Sequence, residues 1–187
     1  MLIEFVKGKG NKRLPKDFKP YLRRWFYSKF EELTPPQRYS FKLILKRENV
    51  LIASPTGSGK TLAGFLAILN FLFDLAERKE LKNKVYCVYV SPLRALNNDV
   101  RRNLEEPLRE IREIAEKDFG KELEEIRIGL RTSDTKGSEK SRHLKKVPHI
   151  LITTPESLAI ILNAPKFREA LKGVEFVIVD EIHELAS

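Results

Sequence analysis

The sequence predicts an α/β fold with a mostly parallel sheet and helices on both faces. Three observations predict it. Five short apolar runs, VLIAS (50–54), VYCVYVS (85–91), IRIGL (126–130), HILITT (149–154) and FVIVD (176–180), are mostly continuous rather than alternating, as strands buried on both sides require. Stretches with helical periodicity separate them, so strand and helix alternate along the chain and the connections are right-handed crossovers. The first run leads into a turn of small residues, SPTGSGK, and then into a long amphipathic stretch.

In chain order, residues 1–20 are basic, punctuated by Gly and Pro and without clear period, and read as a loose leader ahead of a domain over 21–187. Tyr21, Trp25, Phe26 and Phe30 recur at helical spacing in a helix over 21–33. Thr34 caps the next helix, whose first turn tolerates proline, and which runs to about Lys46. Further helices are expected over Lys60–Arg78, Leu93–Lys117, Glu139–Lys145 and Glu156–Leu171, the last broken at Pro165. The polar, basic stretch 132–148 is the expected flexible segment.

The 187 residues suffice for one domain with its own core. Cys87 is the sole cysteine, which rules out an internal disulfide and disfavours a cysteine-based metal site. His143, His149 and His183 are scattered without ligand spacing. No apolar run is long enough to span a membrane, and the amino terminus lacks a signal-peptide pattern, so no membrane partner and a cytoplasmic location are expected. A formal net charge of +9 points toward polyanionic partners.

The turn after the first run carries the chemistry. A phosphate-binding loop needs glycines so that backbone N–H groups can point inward, a lysine for the outer phosphates, and a hydroxyl for magnesium. Gly57 and Gly59, Lys60 and Thr61 supply them, within a loop that also includes Ser54, Pro55, Thr56 and Ser58, and the helix from Lys60 adds its N-terminal dipole. The strict pattern asks for glycine at 54, where this chain has serine; a small residue can still make the turn. Such a site also needs carboxylates. Asp180, ending an apolar strand, would share magnesium with Thr61, and Glu181 would be the general base for the attacking water.

These residues resemble superfamily 2 DNA/RNA helicases. SPTGSGKT is similar to motif I of that group and DEIH (180–183) to motif II; TPPQ, SPLRALNNDV (91–100), RTSDT (131–135) and TTPESL (153–158) resemble the Q motif and motifs Ia, Ic and Ib. Together they look most like the large helicase-related (Lhr-like) proteins, near the Ski2-like branch. The resemblance implies the RecA-like three-layer P-loop NTPase fold, in its amino-terminal domain only. It implies that Gln37 meets the adenine edge, with one of Tyr21, Trp25 or Phe26 stacking on adenine or simply packing in the core. It implies ATP and Mg2+ as cofactors and Lys60, Asp180 and Glu181 as the catalytic set. His183 would couple the ATP site to nucleic acid. Single-stranded or tailed DNA or RNA would meet Ser91, Pro92, Leu93, Arg94, Thr132, Asp134, Thr154 and Pro155, mostly through its backbone.

The same resemblance implies a second RecA-like domain as partner, which brings the arginines that complete the hydrolytic site. Weak nucleotide binding and almost no hydrolysis are therefore expected of these 187 residues alone. In the family, the strand of motif III lies between those of motifs I and II. Without it, the strands of Val50 and Val177 should pair directly, leave a gap, or accept a strand from elsewhere, with strand-swapped self-association as one result. A different P-loop NTPase and a non-catalytic nucleic-acid-binding module are the competing readings.

Overall fold

The computed structural model describes residues 4–6, 10–55, 57–92 and 94–185, the side chains of 94–98 and 185 excepted. The sheet is parallel and four-stranded in those residues. Its strands are β1 (Cys87–Val90), β2 (Ile128–Arg131), β3 (Ile150–Thr153) and β4 (Phe176–Val179), in the spatial order β2-β3-β1-β4. Seven α-helices accompany them: α1 (Pro20–Lys29), α2 (Pro35–Leu45), α3 (Lys60–Glu77), α4 (Arg94–Phe119), α5 (Gly137–Lys145), α6 (Pro155–Leu162) and α7 (Pro165–Leu171). The break at Pro165 falls where the sequence puts it, between α6 and α7.

The central strands β1 and β3 are buried at every position, which is why their runs are continuous. Alternate side chains feed two cores. Tyr89, Ile150 and Ile152 join the larger one with α1, α2, α3 and α4, while Val88, Val90 and Leu151 join Ile161 of α6 and Phe167 of α7. Helices thus cover both faces, as a parallel sheet demands.

The leader is not loose throughout. Leu14 and Phe18 are in the larger core, the Leu33 backbone N–H donates to Lys12 O, and Lys19 forms ion pairs with Asp74 and Glu77 of α3. Apolar residues spaced among prolines gave no period to read, so the sequence hides this packing.

The other difference lies at 50–54. This run forms no strand. It faces the outer edge of β4 across a groove of about 640 Å3 lined by Asn49 to Ser54 on one wall and Glu175 to His183 on the other. Of the outcomes expected for the segments of Val50 and Val177, the chain takes the gap. Leu51 is left 76% exposed and Val177 62% exposed. At one end of the groove the Arg47 guanidinium lies over the rings of Phe176, at 3.8 Å, and Phe71, at 4.4 Å. It also pairs with Glu175 at 2.7 Å, so a cation rather than a ladder ties α2 to the start of β4.

Candidate nucleotide site and nucleic-acid rim

All four strands are parallel, so their carboxyl ends share one rim, where ligands of open α/β sheets gather. Register fixes the sequence along it: Arg131 and Val90 both pair with Thr153, and Val90 pairs with Val179. The residues that follow therefore line up as Thr132, Thr154, Ser91 and Asp180, with the loop 54–61 beyond the groove.

The loop is curled by Gly57 (φ 76°) and Gly59 (φ 85°), left-handed conformations that cost other residues about 1 kcal/mol or more. Gly59 is also hemmed in: a Cβ there would stand 2.8 Å from Gln37 Nε2 and 3.1 Å from Thr34 Oγ1. Ser54 Oγ and Ser58 Oγ lie 2.7 Å apart and close the loop across its base. The Lys60 ammonium donates to Ser54 O at 2.6 Å and Pro55 O at 2.9 Å, so the cation sits inside the curl, at the N-terminus of the 18-residue helix α3.

Thr61 Oγ1 reaches Asp180 Oδ2 at 3.5 Å, across 119 residues of chain. The hydroxyl and the carboxylate expected to share magnesium thus face one another, which is the donor set such an ion takes. Asp180 Oδ1 accepts the backbone N–H of Glu181. Glu181 has φ 51°, a left-handed backbone that turns the chain sharply after β4 into the 3-10 turn Ile182–Leu185. His183 is 71% exposed at its side chain, 3.5 Å from Glu181 Oε2 and 3.3 Å from Glu184 Oε1.

Gln37 is 2% exposed. Its Oε1 accepts the Thr34 N–H at 3.0 Å, and its Nε2 lies 3.5 Å from Gly59 O, so it caps α2 and braces the phosphate loop from behind. Tyr21, Trp25 and Phe26 are all core residues. Phe30, a turn on, is 41% exposed and stands edge-on to Trp25 with centroids 6.3 Å apart. Trp25, Lys29 and Phe30 join Lys60, Thr61, Asp180 and Glu181 around an open cavity of about 760 Å3, also lined by Phe65, Tyr89 and residues of α4. Glu110 of α4 accepts from Trp25 Nε1 and Lys29 Nζ, both at 2.7 Å, and the Lys29 bond, then the Trp25 bond, hold its carboxyl below the usual range.

On the rim, Ser91, Thr132 and Thr154 are buried. The Thr154 hydroxyl caps α6 by accepting the Ser157 N–H, and the Thr132 N–H donates to Thr135 Oγ1. Asp134 is exposed, and Pro92 and Pro155 are half-buried. Thr56, Leu93 and the side chain of Arg94 lie outside the described residues. Sequence reasoning missed Tyr89, whose hydroxyl donates to Asp180 Oδ2 at 2.6 Å; the only signal was a tyrosine in a strand otherwise made of small and aliphatic residues.

The family model for DEAD/DEAH box helicases matches residues 34–187. The chain belongs to that family. Among DEAD/DEAH box helicases it is similar to the ATP-dependent helicase Lhr-Core protein 2 of Thermococcus barophilus, at 64% identity over 88% of this chain and 19% of that protein. It is also similar to the ATP-dependent helicase Lhr-Core of Methanocaldococcus jannaschii, at 59% identity over 89% of this chain and 20% of that one. Its fold matches the Mycobacterium smegmatis helicase Lhr bound to ssDNA and AMP-PNP, with TM-score 0.83 and 40% identity over 91% of this chain and 21% of that one. The chain thus spans about a fifth of the length of these relatives, and the RecA-like helicase fold expected from its motifs is the one it has. No helix among the described residues is long and apolar enough to cross a membrane.

Proposed function

We propose that this chain is the ATP-binding lobe of an ATP-dependent helicase acting on DNA or RNA. The approach of Thr61 to Asp180, at the mouth of a loop already curled around Lys60, carries the reading. The loop 54–61 would take the triphosphate through its N–H groups, Lys60 and the α3 dipole. Bound magnesium would neutralise charge on the outer phosphates, held by Thr61 and Asp180. Glu181, which lines one cavity with Lys60 and Thr61, would orient and deprotonate a water above the loop, and the exposed His183 beside it would report the state of the carboxylate to a docked domain. Gln37 would turn its Nε2, now at the long limit of a bond to Gly59 O, toward the adenine edge.

Nucleic acid would run over the rim formed by Ser91, Pro92, Leu93, Arg94, Thr132, Asp134, Thr154 and Pro155. The buried hydroxyls there shape the loops, so backbone groups and exposed positions would meet the strand, giving sequence-independent binding. A second RecA-like domain would close over the site and supply the cations that stabilise charge in the transition state. The groove beside β4 would also accept a strand from a second copy of the isolated chain, giving a swapped dimer in sedimentation. A cytoplasmic location fits these partners.

The test is nucleotide binding by the 187-residue chain, with Lys60→Ala as the comparison. Binding of Mg-ATP that falls by tenfold or more in the variant supports the reading. Equal binding by both, or brisk turnover without any second domain, refutes it.

A further inference from the structure

We infer that Tyr89 is a positioning residue for the nucleotide site, acting through its hydroxyl on the magnesium-facing carboxylate of Asp180. The inference deepens the proposed function and rests on it.

The geometry is specific. Tyr89 lies on β1 in register with Ile178 of β4, so Asp180, the first residue after β4, follows the strand end beside it. The Tyr89 ring is 1% exposed and tilted at 30° against Phe65, with centroids 5.3 Å apart. Phe65 stands one helical turn after Thr61 on α3. The same packing contact therefore sets the ring that holds Asp180 and the helix that carries Thr61. The hydroxyl donates to Asp180 Oδ2 at 2.6 Å, a short bond of the charge-assisted kind. Oδ1 is engaged by the Glu181 N–H.

Each carboxylate oxygen has two lone pairs. Tyr89 takes one on Oδ2 and the Glu181 N–H one on Oδ1, which fixes the carboxyl plane. The second Oδ2 lone pair stays on the side of Thr61 Oγ1. A phenol ordinarily ionises only at about pH 10, so at neutral pH the hydroxyl is a donor to the carboxylate. Hydrogen-bond partners that orient ligating carboxylates typically change metal affinity or activity 10- to 100-fold when removed.

Tyr89→Phe keeps the ring and its contact with Phe65 and deletes the hydroxyl alone. The experiment titrates Mg2+ into the 187-residue chain with a fluorescent ATP analogue and reads the Mg2+ concentration at half-maximal binding. In parallel it measures binding in EDTA and the thermal midpoint. The expected result is a midpoint raised about tenfold or more, with binding in EDTA unchanged. Phe73→Leu, which loosens the core at the far end of α3 but leaves the hydroxyl and the Phe65 stack, should lower thermal stability without a comparable shift in the Mg2+ midpoint. An unshifted midpoint in Tyr89→Phe, with wild type showing magnesium-dependent binding, overturns the inference and leaves the proposed function standing. A Tyr89→Phe chain that does not fold overturns it too, by assigning the hydroxyl to folding. Wild type that shows no magnesium-dependent binding overturns both.

Discussion

Ser54 and Ser58 clasp the phosphate loop, their hydroxyl oxygens 2.7 Å apart. Position 54 is where the strict motif places glycine, and here the side chain does something glycine cannot. A hydrogen bond of this kind contributes about 0.5–1.5 kcal/mol net. Ser54→Gly would restore the strict motif, yet it is expected to weaken ATP binding by about 3- to 10-fold, because the loop must then be ordered by the ligand. Calorimetric titration of both chains checks the direction; tighter binding by the glycine variant would refute it.

Gly59→Ala should be far more damaging than its size suggests. The left-handed φ of 85° and the approach of Gln37 Nε2 and Thr34 Oγ1 to any Cβ act together, and strain of this type costs about 1–3 kcal/mol. A urea denaturation midpoint that drops accordingly, together with loss of nucleotide binding, is the expected outcome.

Stability should depend on pH through His149. The imidazole is fully buried; its Nδ1 accepts the Arg127 N–H, and burial, followed by the nearby Arg127 charge, lowers its pKa to about 4. The unfolded chain binds a proton near the ordinary value of about 6.5. Stability is therefore complete above that value, falls as pH drops through the window between the two, and levels off below the folded pKa. The integrated loss is about 3 kcal/mol. His149→Gln is expected to flatten the thermal midpoint between pH 6.5 and 4.5.

Arg47→Ala removes a guanidinium shared by two rings and a carboxylate at 33–39% side-chain exposure. A loss of about 1–2 kcal/mol is expected, read as a lower denaturation midpoint. Arg47→Lys should recover only part of it, because the planar stack over Phe176 needs a flat cation.

Much of this molecule was legible in its sequence. The buried runs of β1 and β3, the cap at Thr154 and the break at Pro165 follow from local chemistry, and the loop with Asp180 follows from spacing. The 50–54 run was misread because periodicity reports what a segment could pair with, and among the described residues no strand pairs with it. Leu14 and Phe18 lacked any period at all. Tyr89 could not be found by pattern, since its role depends on a register between strands about ninety residues apart.

The groove between 50–54 and β4 has a mechanical meaning. Neighbouring strands in a ladder are pinned at about 4.8 Å, whereas packed side chains slide. Lys60 and Thr61 ride on α3, and Asp180 rides on the sheet. Side-chain contacts set their spacing, among them the Arg47 cluster at one end, the Thr61–Asp180 approach at the other and the Phe65–Tyr89 stack between them. Held by side-chain packing rather than by ladder bonds, this seam would yield before the paired strands do. A triphosphate drawing the loop toward the carboxylate would pull along its softest direction.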